Sequence, residues 1–436
     1  METVKIGILG LGTVGGGTVN VLQRNADDIS RRVGCNIQVV AAAVRDLSGD
    51  RICPTDGIDL TDKPQDIINR ADVDIVVELI GGDSLAKELV LAAIANGKHV
   101  VTANKALIAK YGNEIFAAAD KKGVCVAYEA AIAGGIPIVK AMREGLTANK
   151  VAWLAGIING TGNFILTEMR DKGRDFADVL AEAQALGYAE ADPEFDVEGI
   201  DAAHKLTILA SLAFGMPLSF DKCYTEGITK ITQQDVTYAE ELGYRIKHLG
   251  LAVRGESGIE LRVHPTLIPE KRLIANVDGV MNAVLVKADA VGPTLYYGPG
   301  AGAEPTASAV IADVVDIART LDGNVEHRVP ALAFKTESIT EQTVLTSADF
   351  ETAYYLRLTT EDRPGVMADV TKILADQAIS IEAIIQKEPN EDQDATIIML
   401  THRVIESNME KAIAELKSQP FLKGDVTRIR VEHLNA

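Results

Sequence analysis

Apolar and polar residues alternate along the first third of the chain in blocks whose lengths match strands and helices. Short apolar runs predict strands at residues 4–9 (VKIGIL), 37–44 (IQVVAAAV), 74–79 (DIVVEL) and 99–102 (HVVT). Stretches at 84–96 and 106–121 have helical composition. Strands that alternate with helices are typical of a doubly wound parallel sheet, in which ligands bind beyond the carboxyl ends of the strands.

A glycine-rich stretch joins the first predicted strand to the first predicted helix. Residues 10–15 read GLGTVG, with glycines at Gly10, Gly12 and Gly15. In this context the backbone N–H groups and the helix N-terminus can hold a pyrophosphate. The pattern therefore favours a dinucleotide site, and a tight turn that needs glycine only for steric reasons is the alternative.

The end of the second predicted strand carries Arg45 followed by Asp46. An arginine at this position can accept the 2′-phosphate of NADP, whereas an acidic residue prefers the free 2′-hydroxyl of NAD. Arg45 therefore favours NADP, but it can also be a solvated surface charge, so NAD use stays open.

Lys105 follows the strand at residues 99–102 and opens the next predicted helix. From a strand end its ammonium group can reach the nicotinamide or the reacting oxygen of a substrate. The alternative is an exposed lysine at the start of a helix.

A second lysine lies inside the apolar stretch at residues 200–214 (IDAAHKLTILASLAF). Asp201 and Lys205 are four residues apart, so they share one face of the predicted helix. Burial of an ammonium group lowers its pKa, and a carboxylate one turn away restores part of the charged form. Lys205 is therefore a candidate general acid and base, with a structural ion pair as the alternative.

Three further segments are candidate binding sites. Six carboxylates lie between residues 190 and 201, where they form a solvated loop or bind a substrate ammonium group, and Asp192–Pro193 predicts a turn there. Residues 129–137 combine Glu129 with a glycine-bent backbone whose carbonyls can ligate a hard cation. Residues 159–163 (NGTGN) read as a polar turn that can donate hydrogen bonds to a carboxylate.

Composition and charge narrow the class of protein. The 436 residues suit two or three domains, and 47% hydrophobic with 24% charged residues is the balance of a globular protein. The net charge of −19 disfavours nucleic acid and anionic membranes as partners, and the most apolar stretch, 123–139, is interrupted by Glu129. We also expect no secretory leader. The four cysteines lie far apart in the sequence, and we expect them to be reduced in a cytoplasm.

The last part of the chain has a separate pattern. A polar linker is predicted at 336–352, followed by strands at 354–359, 379–386, 396–401 and 426–432 and helices at 366–377 and 407–418. This βαββαβ order predicts a ferredoxin-like unit. The loop from Asp362 to Gly365 precedes its first helix and presents backbone N–H groups to a carboxylate.

Seven motifs together resemble those of the homoserine dehydrogenase family over roughly residues 1–330. They are GLGTVG (10–15), VVELIGG (76–82), TANKALI (102–108), EAAIAGGIPI (129–138), INGTGNFIL (158–166), YAEADPEFDVEGIDAAHKLTILA (188–210) and GPGAGAEPTASAV (298–310). The resemblance implies an α/β fold with a Rossmann-type doubly wound parallel sheet, an α+β catalytic and dimerisation domain, and the ferredoxin-like unit as an ACT domain. It implies boundaries at 1–130 (completed by 305–330), 131–304, a linker at 331–352, and 353–436.

The same resemblance implies roles for individual residues. Lys205 and Lys105 become catalytic, and Glu190, Asp201 and Asp196 become substrate contacts. The nicotinamide cofactor is expected at Thr13, Val14, Arg45, Lys105 and Gly302, beside the glycines of the loop. Glu129 and the carbonyls of Ile132, Gly134 and Ile136 become a structural site for a monovalent cation, Na⁺.

The implied reaction is the reversible reduction of L-aspartate 4-semialdehyde to L-homoserine with NADPH or NADH, in threonine, methionine and isoleucine biosynthesis. The ACT resemblance implies an amino-acid effector at Asp362 and Gly365, and pathway logic suggests L-threonine as a feedback inhibitor. A homodimer or homotetramer is expected. Alanine stands at position 378, where the ACT family commonly has glycine, which predicts a turn of different shape.

Two other functions are compatible with parts of this pattern. Another NAD(P)-dependent amino-acid dehydrogenase with an ACT tail would carry a catalytic histidine, and the nearest of the seven histidines is His204. A catalytically silent amino-acid sensor would keep the fold, but Lys105, Asp201 and Lys205 are all present.

Overall fold

A computed structural model describes residues 3–321, 323, 328–387 and 394–435. Within it the chain forms two compact units, each built from three segments. The first contains residues 1–160, 201–223 and 280–342, and the second contains residues 161–200, 224–279 and 343–436.

The strands and helices follow in chain order. The strands are β1 (Thr3–Leu9), β2 (Asn36–Ala43), β3 (Asp59–Thr61), β4 (Ile75–Glu78), β5 (His99–Thr102), β6 (Val126–Ala127), β7 (Val151–Ile157), β8 (Tyr224–Thr225), β9 (Tyr244–Arg254), β10 (Ile259–Pro269), β11 (Met281–Ala288), β12 (Gly292–Pro299), β13 (Glu351–Glu361), β14 (Ile381–Gln386), β15 (Asp394–Thr401), β16 (Val404–Ile405) and β17 (Leu422–Val431). The α-helices are α1 (Thr13–Arg24), α2 (Ala26–Val33), α3 (Pro64–Asn69), α4 (Ser84–Ala95), α5 (Lys105–Lys122), α6 (Ile138–Lys140), α7 (Gly160–Lys172), α8 (Phe176–Ala185), α9 (Glu194–Val197), α10 (Ile200–Phe214), α11 (Gln233–Glu241), α12 (Ala303–Arg319), α13 (Val366–Asp376) and α14 (Glu406–Lys417).

The first unit contains the parallel sheet that the sequence predicts. Its six strands follow the order β3-β2-β1-β4-β5-β6, and all neighbouring pairs are parallel. The order reverses between β1 and β4, which is where a dinucleotide binds in such sheets. Buried residues of β1, β4, α1 and α12 share one apolar core. In the same unit, β7, β11 and β12 form an antiparallel ladder.

In the second unit, six neighbouring strands of a larger sheet follow the order β9-β10-β17-β13-β15-β14, while β8 pairs with β10 and β16 with β13. The last four of these six strands, with α13 and α14, form the predicted βαββαβ arrangement. Along β13, Tyr354, Leu356 and Leu358 pack in a core with α13 and α14. Ala353 and Tyr355, on the opposite face, pack in a second core with residues of α7, α8 and α11. The sheet therefore has buried residues on both faces, as the strand period of two requires.

One parallel pair joins the two halves of this sheet. β17 pairs with β10 through Thr266 opposite Arg430 and Leu267 opposite Val431. The other edge of β17 pairs with β13 in the antiparallel direction. The last strand of the chain is thus a central strand of the second unit.

The structure corrects one local prediction. Residues 159–163 do not form an isolated turn, because α7 begins at Gly160. The side chain of Asn163 donates hydrogen bonds to the carbonyls of Val277 and Gly279, which offsets the low helix propensity of the glycines. In the turn after α13, Ala378 adopts the left-handed conformation, with φ of 57°.

Within the described residues, none of the helices has the length and apolar composition needed to cross a membrane. In the part of the chain that the structure describes, Cys35, Cys53, Cys125 and Cys223 form no disulfide.

Candidate active site

The three glycines of the first loop have three different environments. Gly10 has a φ of 101°, and a Cβ there would lie 2.8 Å from the carbonyl oxygen of Leu79. A Cβ on Gly15 would lie 2.0 Å from the carbonyl oxygen of Gly10, so α1 packs closely on the end of β1. A Cβ on Gly12 would meet no atom within 4 Å. The loop is therefore tight on its inner side and open on its outer side, as a pyrophosphate site requires.

The start of α1 is suited to an anion. The helix runs for 12 residues from Thr13, its N-cap is Gly12, and its first turn contains no acidic side chain. Thr13 is exposed and Val14 half-buried. The N-terminal N–H groups and the helix dipole favour phosphate at this position.

Gly302 is brought to the same helix by packing between α1 and α12. It is the N-cap of α12 and has a φ of 126°. A Cβ on Gly17 of α1 would lie 2.6 Å from the carbonyl oxygen of Ala303, so only glycine allows the two helices to approach this closely.

Arg45 and Asp46 follow the end of β2 and are exposed. The Asp46 carboxylate accepts the backbone N–H of Ser48 at 2.9 Å and its hydroxyl at 2.7 Å. The Ser48 hydroxyl and N–H hold the pKa of Asp46 below its usual value. The acidic group is thus engaged in its own turn, while Arg45 presents a cation at the strand end.

The two predicted catalytic lysines meet at one carboxylate. Lys205 Nζ lies 2.7 Å from Asp201 Oδ2, and Lys105 Nζ lies 3.1 Å from Asp201 Oδ1. Lys205 Nζ also donates to the carbonyl of Ile158 at 2.6 Å, and Asn159 Nδ2 donates to Asp201 Oδ2 at 2.8 Å. Residues from α5, α10 and the end of β7 are thereby brought together.

Burial and charge oppose each other at Asp201. Burial alone would raise its pKa, but the ammonium groups of Lys205 and Lys105 outweigh burial and hold the pKa well below the usual range. Lys205 is 9% exposed, whereas the Lys105 side chain is 32% exposed. The site therefore combines an ionised carboxylate, a buried ammonium and an accessible ammonium.

His204 is adjacent to Lys205 but has another environment. Its ring stacks on Phe220 with a centroid distance of 4.2 Å. Burial and, second, the charge of Lys110 lower the pKa of His204 to about 4. A neutral, stacked imidazole does not resemble the catalytic histidine that the alternative dehydrogenase would need.

The predicted cation segment is tightly bent. Ala133 and Gly134 have φ values of 52° and 39°. Glu129 is buried, and its carboxylate accepts the N–H groups of Val139 at 2.9 Å and Lys140 at 2.8 Å. The carbonyl of Ile136 accepts the N–H of Ile138 at 2.7 Å, and Ile132 lies buried in the same segment.

Asp313 of α12 lies behind this segment and was not anticipated from the sequence. Its carboxyl accepts the backbone N–H of Glu129 at 2.7 Å. Burial and, second, the neighbouring Glu129 carboxylate raise the pKa of Asp313 to about 8. Among the described residues, no cluster of three or more His, Cys, Asp or Glu side chains forms a metal site.

The remaining predicted residues belong to the second unit. Glu190 is exposed after α8, and Asp196 is half-buried in the short helix α9. Asp362 is exposed between β13 and α13, and Gly365 is the N-cap of α13 with a φ of 98°.

Comparison with known proteins identifies the family. A family model described as homoserine dehydrogenase matches residues 137–315, its NAD-binding-domain model matches 10–129, and an ACT-domain model matches 354–421. A homoserine dehydrogenase of Pseudomonas aeruginosa is 63% identical over 437 residues, which cover 100% of both chains. The chain belongs to the homoserine dehydrogenase family. It is accordingly an oxidoreductase.

Solved homoserine dehydrogenases have the same fold. One from Thiobacillus denitrificans is 62% identical with a TM-score of 0.95, covering 100% of this chain and 99% of the other. One from S. aureus, crystallised at pH 7.5, is 30% identical with a TM-score of 0.77, covering 99% of both chains. The predicted family, the Rossmann-type sheet and the ACT domain are confirmed.

Three groups near this candidate site were not assigned to it from the sequence. Asn159 was predicted only as part of a turn facing a carboxylate, and it donates to Asp201. The Ile158 carbonyl carries no side-chain signal at all. Glu78 was overlooked, although a carboxylate that ends an apolar strand is visible in VVELIGG.

Proposed function

We propose that this member of the family reduces L-aspartate 4-semialdehyde reversibly to L-homoserine with NADPH or NADH. The observation that carries the proposal is the convergence of Lys205 and Lys105 on Asp201, at 2.7 and 3.1 Å. Two ammonium groups held together can stabilise negative charge on a substrate oxygen.

Lys205 is the proton donor in reduction and the acceptor in oxidation. Its hydrogen bonds to Asp201 and to the Ile158 carbonyl fix the direction of the ammonium group. Reduction adds a hydride to the aldehyde carbon and a proton to its oxygen, so a positioned ammonium completes the alcohol. Lys105 assists through its charge, and Glu190, Asp196 and Asp201 are the proposed contacts of the amino-acid substrate.

The cofactor would lie along the glycine loop and the switch point of the sheet. When bound, its reduced nicotinamide supplies the hydride. Gly10, Gly12, Thr13, Val14 and Gly15 would hold the pyrophosphate. Lys105 and Gly302 are the other proposed contacts, and Arg45 would bind the 2′-phosphate of NADP. The engagement of Asp46 by Ser48 supports NADP over NAD.

A monovalent cation, Na⁺, is proposed in the segment from Glu129 to Ile136. The consecutive left-handed residues Ala133 and Gly134 bend the backbone of this segment, and the carbonyls of Ile132, Gly134 and Ile136 are the proposed donors. Both Glu129 oxygens already accept backbone N–H groups, which supports a role in shaping the segment.

The ACT domain is proposed to bind L-threonine near Asp362 and Gly365 and to lower turnover. The exposed loop before α13 can receive an amino-acid carboxylate at the helix N-terminus. The proposal also includes the domain boundaries given above and a homodimer or homotetramer. It places the protein in the cytoplasm, with access to the dinucleotide pool.

Initial rates of NADP⁺ and NAD⁺ reduction by L-homoserine, with and without millimolar L-threonine, test the proposal. We expect turnover that is faster with NADP⁺ and suppressed by threonine. Absence of turnover with either cofactor would refute the reaction. Turnover that threonine does not change would refute only the regulatory part.

A further inference from the structure

Glu78 is a buried carboxyl at the switch point of the parallel sheet. It is the last residue of β4 and is 0% exposed. In the register it lies opposite Leu9 of β1 and opposite Thr102 of β5. The strand order reverses on its β1 side, so Glu78 occupies the floor of the crevice where the dinucleotide would bind.

Hydrogen bonds explain how this carboxyl is accommodated. Its Oε1 accepts the backbone N–H of Ile80 at 2.9 Å, and its Oε2 accepts the Thr102 hydroxyl at 2.6 Å. Burial raises the pKa of Glu78, and the hydrogen bonds from Thr102, Ile80 and Gly81 oppose that shift. Burying a carboxyl group costs more free energy than burying an apolar side chain, so a buried acid at this position needs an explanation.

A series of hydrogen bonds leads from Glu78 through Thr102 to Asn104, the residue before Lys105. The Thr102 hydroxyl that donates to Glu78 also accepts the backbone N–H of Asn104 at 3.0 Å. Asn104 is the N-cap of α5, and its side-chain oxygen accepts the N–H of Leu107 at 3.0 Å. Lys105 is the first residue of that helix.

The same carboxyl also holds the loop after β4. Asn104 Nδ2 donates to the carbonyl of Gly82, so the loop is attached at Ile80 by Glu78 and at Gly82 by Asn104. Gly81 and Gly82 have φ values of 71° and 73°, and a Cβ on either would meet no atom within 4 Å. The loop thus presents an open backbone surface at the crevice.

This arrangement matters because a lysine side chain is flexible. A lysine side chain loses much rotamer freedom when it is held in one place, so the position of the ammonium group depends on a well-fixed backbone. Lys105 Nζ reaches Asp201 Oδ1 at 3.1 Å from a side chain that is 32% exposed. A shift of the Asn104–Lys105 backbone would move this ammonium away from the reacting oxygen.

We propose that Glu78 is a positioning residue for the reaction, acting through Thr102 and Asn104 to fix both Lys105 and the Ile80–Gly82 loop. The inference rests on the proposed role of Lys105. Glu78 itself does not contact Lys205, Asp201 or Lys105 in the hydrogen bonds described, so its effect is transmitted through the helix start.

Thr102→Val gives the sharpest test because valine has the same shape and lacks the hydroxyl. Thr167→Val is a matched control: the Thr167 hydroxyl is also buried, donates to the Asn163 carbonyl at 2.7 Å and accepts the N–H of Gly279 at 3.1 Å. We expect kcat with L-homoserine and NADP⁺ to fall about 10- to 100-fold in Thr102→Val, since small misplacement of a catalytic group has effects of this order. Thr167→Val should keep kcat despite a similar loss of thermal stability.

Four further variants separate positioning from general structural damage. Thr102→Ser restores the hydroxyl and should recover kcat to within about threefold of the wild type. In a Lys105→Ala background, Thr102→Val should lower kcat much less than it does in the wild type, because only the Ile80–Gly82 loop remains to be displaced. Glu78→Gln, which keeps one acceptor, should be less impaired than Glu78→Leu.

The possible results are distinguishable. A folded Thr102→Val protein with near-normal kcat would overturn the proposal. So would parallel loss of kcat in Thr102→Val and Thr167→Val, or additive losses with Lys105→Ala. A wild-type protein that does not oxidise L-homoserine would instead refute the proposed reaction.

Discussion

Asp201 holds two ammonium groups close together at the start of an otherwise apolar helix. It is 4% exposed, and its position in the first turn of α10 also favours a negative charge. Removing one partner from a buried ion pair leaves an uncompensated charge, which commonly costs about 3 to 5 kcal/mol. Asp201 is therefore needed to hold the Lys205 and Lys105 side chains next to each other.

Replacement of Lys205 tests its role as proton donor. In Lys205→Ala we expect kcat to fall by about 10³-fold, because general acid catalysis contributes roughly 10² to 10⁴. NADP⁺ affinity, measured by fluorescence titration, should stay near that of the wild type. Lys172→Ala on the exposed face of α7 is the control. Substantial activity in Lys205→Ala would transfer the proton step to Lys105 or to water.

Replacement of Arg45 tests the choice of cofactor. Arg45→Ala should raise KM for NADP⁺ about tenfold or more, because a charge-assisted contact to phosphate is lost, and should change KM for NAD⁺ little. Arg31→Ala, another exposed arginine that pairs with Asp28, should leave both values unchanged. Equal effects on the two cofactors would show that Arg45 does not read the 2′-phosphate.

The residues of the site differ in how well the sequence predicted them. The four-residue spacing of Asp201 and Lys205 placed both on one helical face, and the 2.7 Å contact follows from that local geometry. The partners Ile158 and Asn159 lie more than 40 positions away. Local periodicity carries no signal for such contacts, and a backbone carbonyl leaves none in the sequence.

At the level of elements, the sequence predicts strands and helices in the first third of the chain and in the βαββαβ unit, whereas in the middle of the chain it gives no bounds for β7 to β12 or for α7, α8, α11 and α12. Helix α10 matches its predicted bounds, and α13 ends one residue earlier than expected. Glycine content misled the prediction at residues 159–163, where tertiary hydrogen bonds from Asn163 hold helical structure. At Ala378 the tertiary fold imposed a left-handed residue that alanine itself disfavours.

Ala378 offers a test of that strain. Ala378→Gly should raise the free energy of unfolding by up to about 1 kcal/mol, because the left-handed conformation costs alanine roughly 1 to 2 kcal/mol and glycine loses more chain entropy. Ala375→Gly, within the right-handed helix α13, should lower it by about 0.5 to 1 kcal/mol. Urea unfolding of both variants measures the signs, and a destabilised Ala378→Gly protein would contradict the argument.

At the scale of the whole molecule, the ACT domain is integrated into the second unit by buried charges. Arg430 donates to Glu406 Oε2 at 2.9 Å and to Glu226 Oε2 at 2.7 Å. Arg428 donates to Glu406 Oε1 at 2.9 Å. Glu226 follows β8, whereas the other three residues belong to the ACT domain, so a change in the domain has direct contacts through which to act.

Gly365 tests whether the ACT loop receives an effector. Gly365→Ala should raise the threonine concentration for half-inhibition about tenfold or more, because a side chain at a φ of 98° strains the start of α13. Gly424→Ala is the matched control, since Gly424 also has a positive φ, 71°, and open space around its Cβ. Activity without threonine should be unchanged in both variants. If the same threonine concentration half-inhibits Gly365→Ala and Gly424→Ala, the effector binds elsewhere.

Acid stability should depend on His99. Its Nδ1 accepts the backbone N–H of Cys125 at 3.0 Å, which requires the neutral ring, and burial lowers its pKa to about 4. Between pH 4 and the ordinary pKa of about 6.5, the His99 ring is protonated in the unfolded chain and neutral in the folded protein. The contribution of His99 to the free energy of unfolding is therefore complete above about pH 6.5 and decreases as the pH falls toward 4.

The difference in unfolding free energy between wild type and His99→Gln isolates this group. We expect the wild-type advantage at pH 7 to shrink by about 2 to 3 kcal/mol by pH 4.5. His402→Gln, at an exposed position, is the control. A wild-type advantage that is constant with pH would refute the assignment.

The central position of β17 has a practical consequence for making an effector-insensitive enzyme. Cutting the chain before residue 343 would unpair β10 at Thr266 and Leu267 and uncover the apolar residues of α7, α8 and α11 that now pack against β13. Bare strand edges and apolar patches promote aggregation. We therefore expect a protein that ends before residue 343 to be insoluble. Selection for an enzyme that the effector does not inhibit should instead yield single substitutions in the loop before α13.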